Sequence, residues 1–409
     1  RRRSRASCRS GGVRVPRAER RARAGTSAVL YLRHAGVAAA RERRTTAREG
    51  RRHVGGRRGA ARGVRMRVLF VTHRYPPRTG GVESHVSEIA TRLADRGHDV
   101  TVFSADAGGD VLDDHETNGV RVRRFRSVSP DGAFYAAPQL ALAVRRADAD
   151  VVHAHNYHAF PLFFAALGVT DERFVVTTHY HGESASGLRD VLLSCYRPFG
   201  RWAVRQADEV IAVSEWERER LREDFGVDAT VIPNGVDVDR FADAEPEERE
   251  RPYLLCVGRL EAYKGVQYIL RALPELPEYD LVVAGSGPYR GTLEQIAHEE
   301  GVADRVEFLG YVADDRLPGL YAGADVYVTL SEFESYGMTV AEALAAGTPC
   351  VVRETGALAD WVNRNGARGT GISQVTQKIR AAVDERPTDS IPDWAEVAQR
   401  TEDVYKAEH

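Results

Sequence analysis

The sequence predicts an α/β protein with two doubly wound domains, each built on a parallel sheet that helices cover on both faces. From Met66 onward, short apolar runs alternate with amphipathic stretches, which is the pattern of β-α units. The alternation stops at a charged, proline-containing stretch and then begins again, which indicates a second domain of the same kind. At roughly 100–200 residues per domain, 409 residues are enough for two.

The first series of elements predicts a domain over residues 66–235. Its opening run, RVLFVT at 67–72, is predicted to be a buried strand. A helix is predicted over 83–97, because apolar residues recur there at helical spacing and Gly97 ends the pattern. Further strands are predicted at 99–104, 120–125, 150–155, 173–179 and 209–214.

The second series begins after residues 236–252, which are predicted to be a linker because they are charged and contain two prolines. It predicts a second domain over 253–390, and residues 391–409 predict an amphipathic terminal helix. In doubly wound domains, ligands bind at the carboxyl ends of the strands. The predicted strands are 253–258, 280–285, 305–310, 324–329 and 348–353, and the predicted helices are 265–273, 289–300 and 337–346.

The charge is divided unevenly between the first 65 residues and the rest. Residues 1–65 contain 21 Arg, three Glu and neither Lys nor Asp, whereas the remainder carries 36 basic and 56 acidic side chains. This leader has no apolar period, so we expect it to be disordered or to be upstream sequence outside the folded protein. A nucleic-acid-binding arm is the alternative, but the leader has a single aromatic residue, Tyr31, and we predict no nucleic-acid partner. The acidic, Lys-poor remainder is typical of proteins that are soluble at high salt.

Several protein classes are excluded by the rest of the composition. The four cysteines are scattered without CxxC spacing, which argues against a disulfide framework and favours a reducing compartment. The apolar run from Ala159 to Val169 is too short to span a bilayer, and no signal peptide opens the chain. We therefore expect a cytoplasmic protein. The loop after the first strand lacks GxGxxG, so a dinucleotide-binding fingerprint is absent.

Charged residues in the second domain are candidates for binding a phosphorylated sugar compound. Arg259 and Lys264 follow a strand end, and both side chains suit phosphate, although solvated surface charges are an equal alternative. Glu334 and Glu342 flank a helix start, where a carboxylate can accept hydrogen bonds from paired sugar hydroxyls. The alternative is that both glutamates are solvated or ion-paired. The apolar run MTVAEALAAG around Glu342 argues against this alternative for that residue. The remaining candidates lie in strand-end turns or at the helix start: Gly285, Tyr311, Val312, Ser335, Tyr336 and Gly337.

The first domain offers a glycine pair and two histidine clusters. Gly80 and Gly81 precede a helix, where backbone N–H groups can meet an anion, although an ordinary turn is the alternative. His155, His179 and His181 lie at two strand ends, and a hydrogen-bonding or proton-relay role toward a substrate is expected for them. No carboxylate stands beside them at ligand spacing, so no metal site is predicted.

Taken together, the motifs resemble glycosyltransferase family 4, whose members are retaining enzymes of GT-B fold. The resemblance runs from about Met66 to Trp361 and rests on several motifs in the family's order, among them GGVESHVSEIATRLADRG, DVVHAH, VIPNGVDVDRF, VGRLEAYKG and ESYGMTVAEALAAGTPCVV. It implies two Rossmann-like domains that face each other across a cleft. A nucleotide-diphosphate sugar is held mainly by the second domain and the acceptor by the first. The final helix is expected to cross back to the first domain.

Residue roles follow from the resemblance, position by position. Glu334 and Glu342 match the E-x7-E motif, with Glu334 near the donor sugar and Glu342 on the ribose. Arg259 and Lys264 match the pair that neutralises the diphosphate, and His179 matches the histidine at the reacting centre, with His181 two residues away as the alternative. Gly81 matches the loop that closes over the phosphates, and Tyr311 and Val312 are expected to line the base.

The resemblance implies sugar transfer that needs no metal ion and no cofactor. The leaving diphosphate would be stabilised by Arg259, Lys264 and helix N–H groups, and attack would occur on the same face of the sugar. The acceptor implied is a glycan, a lipid-linked sugar or a small molecule, and a lipid acceptor is compatible with peripheral association at the cytoplasmic membrane face. One departure from the family is the short, basic segment NRNGARGTGIS after Val362, which leaves the number of C-terminal strands open.

Three alternatives share the fold. A nucleotide-sugar epimerase would need acid and base groups at C2 of the sugar. A phosphorylase would need a pyridoxal-binding lysine, and the chain has only Lys264, Lys378 and Lys406. A non-catalytic protein that only binds a nucleotide sugar is disfavoured by the presence of the four charged residues matched to the donor site.

Overall fold

The structure is a computed structural model, and it describes residues 65–108, 113–129, 134–182, 187–362, 364 and 366–407. Side-chain positions are given for all of these except 187–193. The predicted leader, residues 1–65, lies outside the described residues apart from Arg65.

The first sheet has eight strands in the order β3-β4-β2-β1-β5-β6-β7-β8, and all of them are parallel except the edge strand β3. Its strands are β1 (Arg67–Thr72), β2 (Asp99–Ser104), β3 (Asp114–Thr117), β4 (Val120–Arg124), β5 (Val151–His155), β6 (Arg173–Thr177), β7 (Glu209–Ala212) and β8 (Thr230–Val231). The helices of this part are α1 (Gly81–Asp95), α2 (Gln139–Arg145), α3 (Phe160–Gly168), α4 (Gly187–Val204) and α5 (Glu215–Phe225). The strands are almost wholly buried, as expected for a parallel sheet covered on both faces.

The second sheet has six parallel strands in the order β11-β10-β9-β12-β13-β14. They are β9 (Tyr253–Val257), β10 (Asp280–Ala284), β11 (Val306–Gly310), β12 (Val326–Thr329), β13 (Cys350–Arg353) and β14 (Ala367–Thr370). The helices that follow the first sheet are α6 (Val238–Ala242), α7 (Val266–Ala272), α8 (Arg290–Glu299), α9 (Leu317–Gly323), α10 (Met338–Ala345), α11 (Val375–Ala382) and α12 (Trp394–Lys406). The predicted fold class, two doubly wound α/β domains, is confirmed.

The strands that the sequence did not predict lie at sheet edges. The helices that it did not predict include α6 in the connection between the sheets and α9 and α11 within the second domain. The edge strand β3 reads DHET and has no apolar run, and β8 is only two residues long. The basic segment after Val362 contains β14, which settles the open question of a further strand. The predicted linker contains the short helix α6, which the Asp237 side chain caps and in which Phe241 is buried.

Both sheets have a topological switch point, where neighbouring strands lead away in opposite directions. In the first sheet it lies between β1 and β5, and in the second sheet between β9 and β12. The crevice at the carboxyl end of such a strand pair is where doubly wound domains bind ligands. A ligand site is therefore expected in the loops that follow these four strands.

The terminal helix α12 packs on α1 of the first sheet. Trp394, Val397 and Tyr405 belong to the same buried apolar cluster as Phe70 of β1 and Leu93 of α1. The Asp393 side chain caps the helix by accepting from the Glu396 N–H at 2.7 Å. The end of the chain thus completes the core of the first sheet.

Tyr405 provides a test of how much this docking contributes to stability. Its hydroxyl lies 2.6 Å from Nδ1 of His153, whose Nε2 lies 2.8 Å from the hydroxyl of Thr177. Tyr405→Phe leaves one nitrogen of a fully buried histidine without a partner, so we expect a loss of about 1–3 kcal/mol in the free energy of unfolding. Urea unfolding followed by circular dichroism measures it.

The same substitution at an exposed tyrosine is the control. Tyr311 is 73 % exposed, and Tyr311→Phe is expected to change the free energy of unfolding by less than about 0.5 kcal/mol. Equal effects of the two substitutions would show that the Tyr405 hydrogen bond does not contribute.

Candidate active site

Close backbone packing joins the turn after β9 to the end of β12. Gly265 has a φ of 74°, and a Cβ at this position would lie 2.3 Å from the carbonyl oxygen of Leu330. The Glu332 N–H also donates to the carbonyl of Tyr263 at 2.8 Å. Because only glycine fits at 265, the two loops that leave the switch point of the second sheet are held against each other.

Lys264 and Glu334 form an ion pair at this junction, with Nζ and Oε1 2.6 Å apart. Each side chain is 21 % exposed, so the pair lies at the edge of the domain and not in its core. Burial opposes the charge on Lys264, but the attraction of Glu334 outweighs it and raises the pKa of the ammonium above its ordinary value. The site therefore holds a charged, partly desolvated ammonium beside a carboxylate.

Arg259 lies on the same connection but is held much more loosely. Its side chain is 74 % exposed and forms an ion pair with Glu261 at 3.0 Å. An exposed pair of this kind contributes little and is easily exchanged for another anion. Arg259 can therefore turn toward a ligand at small cost.

The loop before α10 presents main chain and not aromatic side chains to the strand ends. Gly337, with a φ of 94°, precedes the first residue of the helix, and Ser335 is half-buried. The Tyr336 ring is buried against Trp361, whose indole N–H donates to the Tyr336 carbonyl at 2.6 Å. The buried ring of Tyr336 thus leaves only the backbone of this residue for contact with a ligand. Met338 packs against both the second-sheet core and the first-sheet cluster, so α10 begins where the two domains meet.

Glu342 lies one turn further along α10 and is largely enclosed. The Tyr321 hydroxyl donates to its Oε2 at 2.8 Å. Burial raises the pKa of Glu342 to about 7, although the Tyr321 hydrogen bond acts in the opposite direction. A carboxylate with so high a pKa is poised to accept further hydrogen bonds, because each one would favour its charged form.

Three strand-end glycines bring main-chain groups together beside this site. A Cβ at Gly285, whose φ is 135°, would lie 1.8 Å from the Gly258 carbonyl oxygen, and the Gly285 N–H donates to the Gly310 carbonyl at 2.7 Å. Tyr311 follows directly and is exposed, and Val312 is half-buried. The predicted binding residues of the second domain thus lie in the loops at the carboxyl edge of its sheet.

The loop after β1 leads to the glycine pair at the start of α1. Gly80 precedes the helix and Gly81 is its first residue, so N–H groups of the first turn point toward the edge of the sheet. A Cβ at Gly80 would lie 2.3 Å from Oε2 of Glu83, which is buried beneath the loop. Glu83 is paired with Arg74, with Nε and Oε1 2.5 Å apart, and the loop therefore rests on a neutralised carboxylate.

The same loop is supported by a buried ion pair that was not predicted from the sequence. Asp106 and Arg124 are 3 % and 0 % exposed and lie 2.7 Å apart. The carboxylate also accepts from the Tyr75 N–H at 3.3 Å, and the guanidinium donates to the carbonyls of Tyr75 and Pro76. The network fixes the chain that leads from β1 to the glycine pair.

The predicted histidines separate into two groups. His181 stacks on His158, with ring centroids 4.0 Å apart. His155 and His179 lie with His85 of α1, and the His85 and His179 ring centroids are 4.9 Å apart. His85 was not predicted because it lies within an amphipathic helix and not at a strand end. His179 has a φ of 47°, an unusual backbone conformation that is found mainly where the surroundings enforce it.

Glu217 holds the backbone around His179 in this conformation. It is wholly buried at the start of α5, and it accepts from the Thr178 hydroxyl, the Tyr180 N–H and, at 2.6 Å, the Val213 N–H. Residues 178 and 180 flank His179, so this carboxylate fixes the backbone that carries the histidine. Its sequence signal is the capping pattern SEWE at 214–217, in which Ser214 accepts from the Glu217 N–H.

The comparisons with known proteins agree with this architecture. A family profile described as Glycosyltransferase Family 4 matches residues 79–240, and one described as Glycosyl transferases group 1 matches residues 237–386. The chain is 33 % identical over 357 residues to a GDP-mannose-dependent α-(1-6)-phosphatidylinositol monomannoside mannosyltransferase of Mycobacterium tuberculosis, with 80 % of this chain and 87 % of the relative covered. The chain belongs to the group 1 glycosyltransferases. The family resemblance predicted from the sequence is thereby confirmed.

Other proteins similar to this glycosyltransferase have names that refer to other activities. Glycogen synthase of M. tuberculosis is 30 % identical over 394 residues, with 84 % of this chain and 95 % of the relative covered. Among solved structures, Anabaena Alr3699/HepE in complex with UDP and glucose has a TM-score of 0.65 at 20 % identity, covering 84 % of this chain and all of that one. Sucrose-phosphate synthase from Thermosynechococcus elongatus has a TM-score of 0.65 at 18 % identity, with 83 % and 98 % covered. These likenesses confirm the GT-B fold.

The glycosyltransferase has, among the helices of its described residues, none with both the length and the apolar character of a membrane span.

Proposed function

We propose that this glycosyltransferase moves a hexosyl group from a nucleotide-diphosphate sugar to a glycan, lipid-linked or small-molecule acceptor, with retention of configuration and without a metal ion or cofactor.

The Lys264–Glu334 pair is the observation that carries the proposal. A charged, partly desolvated ammonium beside the switch point of the second sheet suits a diphosphate. Arg259 adds a second, movable cation, and the N–H groups at the start of α10 point to the same edge. Because these groups neutralise the diphosphate themselves, the transfer needs no bridging cation.

The nucleoside is held on the other side of α10. Glu342 accepts hydrogen bonds from the ribose hydroxyls, which its raised pKa and its enclosure support. Tyr311 and Val312 line the base, mainly with their main-chain groups, and the turn at Gly285 lets the chain approach the phosphates closely. From the first domain, the N–H groups at Gly80 and Gly81 complete the phosphate site when the domains close.

In the chemical step, the bond between C1 of the sugar and the phosphate oxygen breaks, and its electron pair leaves with the diphosphate. The acceptor hydroxyl attacks the oxocarbenium-like sugar on the same face, and its proton passes to the leaving phosphate oxygen. Glu334 is committed to Lys264, which supports a role in orienting the sugar and not one as a nucleophile. His179 donates a hydrogen bond at the reacting centre, held there by the Glu217 network. The half-buried His181 belongs to the wall of the acceptor side, whereas His155 is fully buried and stacks on His179.

The relatives' names support a choice of substrates to test. One relative is named for GDP-mannose and a phosphatidylinositol mannoside, and one structural neighbour was solved with UDP and glucose. A lipid-linked acceptor would bring the enzyme to the cytoplasmic face of the membrane as a peripheral protein that contributes to cell-surface glycans. The assay therefore includes both lipid-linked and water-soluble acceptors.

The experiment incubates the full-length protein, at high salt and with EDTA present, with GDP-, UDP- and ADP-sugars and an acceptor panel. Nucleotide release identifies the donor, and proton NMR of the anomeric signal of the product determines the stereochemistry. Release that requires an acceptor, survives EDTA and gives a product of unchanged configuration supports the proposal. An inverted product, or loss of activity in EDTA, contradicts it.

Two other outcomes distinguish the remaining functions. Conversion of the nucleotide sugar into its C2 epimer without an acceptor would identify an epimerase. Donor binding, seen as a raised melting temperature, with no turnover on any acceptor would favour a non-catalytic binding protein.

Donor binding should depend on pH through Glu342. With a pKa of about 7, this carboxyl is protonated below that pH and cannot accept hydrogen bonds from two ribose hydroxyls. Arg240 and Asp314 are the charged groups that act on it, and Tyr321 donates to it. Affinity for the nucleotide-diphosphate sugar is therefore expected to be about tenfold weaker at pH 6 than at pH 8. Isothermal titration calorimetry at several pH values measures it.

Glu342→Gln is the matched control, because the amide does not titrate. The variant is expected to bind the donor more weakly and with the same affinity at both pH values. A wild-type affinity that is independent of pH, or an equally pH-dependent affinity in the variant, would contradict the assignment of Glu342 to the ribose.

A further inference from the structure

Three buried histidines from three separate elements converge in the first domain. His155 ends β5, His179 follows β6, and His85 lies in the second turn of α1. One nitrogen from each ring can be chosen so that all three atoms lie within 4.8 Å of one another. The sequence argued against a metal site because no carboxylate stands near the strand-end histidines, but the fold supplies a third imidazole that spacing along the chain could not reveal.

The hydrogen bonding of His85 prepares one of these nitrogens to bind a cation. Nδ1 of His85 lies 2.8 Å from Oδ1 of Asn234. A carbonyl oxygen can only accept, so Nδ1 carries the proton and Nε2 is left with a free lone pair. Metal-binding histidines are typically oriented in this way, by donating from the other ring nitrogen to an oxygen.

The two other histidines have ring nitrogens that are buried without a partner. Both nitrogens of His155 and Nε2 of His179 make no hydrogen bond in the structure. An unpartnered buried polar atom costs about 1–3 kcal/mol, so the unpartnered nitrogens of these two neighbouring rings call for a partner, and one nitrogen of each ring can share it. Burial lowers the pKa of His155 and His179 well below the ordinary value and that of His85 to about 4. All three rings are thus neutral at pH 7, which is the form that ligates metals.

The size of the cluster suits a small transition-metal ion. Ligand nitrogens around tetrahedral Zn²⁺, at about 2.0–2.1 Å from the ion, are about 3.4 Å apart. The three nitrogens lie within 4.8 Å of one another, so binding an ion would require them to move closer by at most about 1.4 Å. Among the described residues no cysteine or carboxylate joins the group, which leaves a fourth position for water or an incoming ligand.

We propose that His85, His155 and His179 form a binding site for a first-row transition-metal ion such as Zn²⁺, with Asn234 as the residue that positions His85. Three imidazoles favour Zn²⁺, Co²⁺, Ni²⁺ or Cu²⁺ over Mg²⁺ and Ca²⁺, which prefer oxygen ligands. An ion bound there would occupy the ring of His179. Since the proposed function places His179 at the reacting centre, we expect a metal bound there to inhibit transfer and to take no part in binding the diphosphate.

The test titrates the full-length protein with Co²⁺ alone and records the visible d–d absorption, and then displaces Co²⁺ with Zn²⁺. We expect one strongly absorbing Co²⁺ per chain, released by one equivalent of Zn²⁺ and unaffected by Mg²⁺. His155→Asn and His85→Asn are expected to lower the affinity more than about 100-fold, and Asn234→Ala about 10- to 100-fold.

His158 is the matched control, because its two nitrogens are also buried without a partner but it lies outside the group of three. His158→Asn is expected to leave Co²⁺ binding unchanged. Circular dichroism and thermal melting without metal show whether each variant is folded, and Asn234→Ala tests the site without changing a ligand. Absence of the Co²⁺ spectrum in the wild-type protein, or a spectrum that survives in folded His85→Asn and His155→Asn, overturns the proposal.

Discussion

Replacing Lys264 with alanine is expected to lower kcat/KM for sugar transfer by about 10²–10³-fold, because in the proposed mechanism one charge that stabilises the leaving diphosphate is lost. The substitution also leaves Glu334, which is only 21 % exposed, without its partner at 2.6 Å. Repulsion between this carboxylate and the diphosphate adds to the loss. Initial rates of nucleotide release, at saturating acceptor and varied donor, measure the effect.

Two further lysine variants control for charge and for stability. Lys264→Arg keeps a cation and is expected to retain part of the activity, although the guanidinium does not have the geometry of the ammonium. Lys378→Ala removes another of the three lysines, on α11 and away from the strand ends, and should leave kcat/KM unchanged. If Lys264→Ala were as active as Lys378→Ala, the diphosphate would not be bound at this turn.

Replacing Asp106 with alanine is expected to lower the free energy of unfolding by about 3–5 kcal/mol, because it leaves the buried Arg124 guanidinium without its counter-charge. Neither side chain reaches solvent to any extent, so water cannot take the place of the carboxylate. Guanidinium chloride unfolding, followed by tryptophan fluorescence, measures the loss. The loop that leads to Gly80 and Gly81 should also become more susceptible to proteolysis, because its carbonyls lose an ordered donor.

An exposed ion pair and a double substitution provide the controls. Arg251 and Asp280 are 48 % and 34 % exposed, and Asp280→Ala should cost no more than about 1 kcal/mol. Replacing both Arg124 and Asp106 with apolar residues of similar volume should recover part of the loss, since no charge is then buried alone. A loss from Asp106→Ala as small as that from Asp280→Ala would mean that water or another side chain solvates Arg124.

Hydrophobic patterning predicted most of the fold, because buried parallel strands leave a clear signature. Runs such as RVLFVT and YLLCV became β1 and β9, and the predicted terminal helix lies at 394–406. β3 was missed because its sequence, DHET, contains no apolar residue and the strand pairs only at the edge of the sheet. A strand held by a single neighbour does not need the apolar character that marks a central one.

The sequence predicted those charged residues of the candidate site that come soon after the end of a strand. Lys264 and Glu334 were both singled out, and the fold brings their charged atoms into contact across 70 residues. The supporting residues were not predictable, because their roles depend on partners from other elements. Arg124 lies on the buried face of β4, but its partner Asp106 comes from beyond another strand, and His85 becomes distinctive only beside His155 and His179.

The position of α12 has a consequence for how the chain is made. Trp394, Val397 and Tyr405 complete the apolar cluster under β1. The two connections between the sheets run side by side, and there the Val236 N–H donates to the Pro392 carbonyl. During synthesis, the first domain emerges from the ribosome early but lacks a wall of its core until α12 has been released. Its folding is therefore finished after the second domain has been translated, and a chain cut before Trp394 leaves the first domain unstable while the second has all of its own strands.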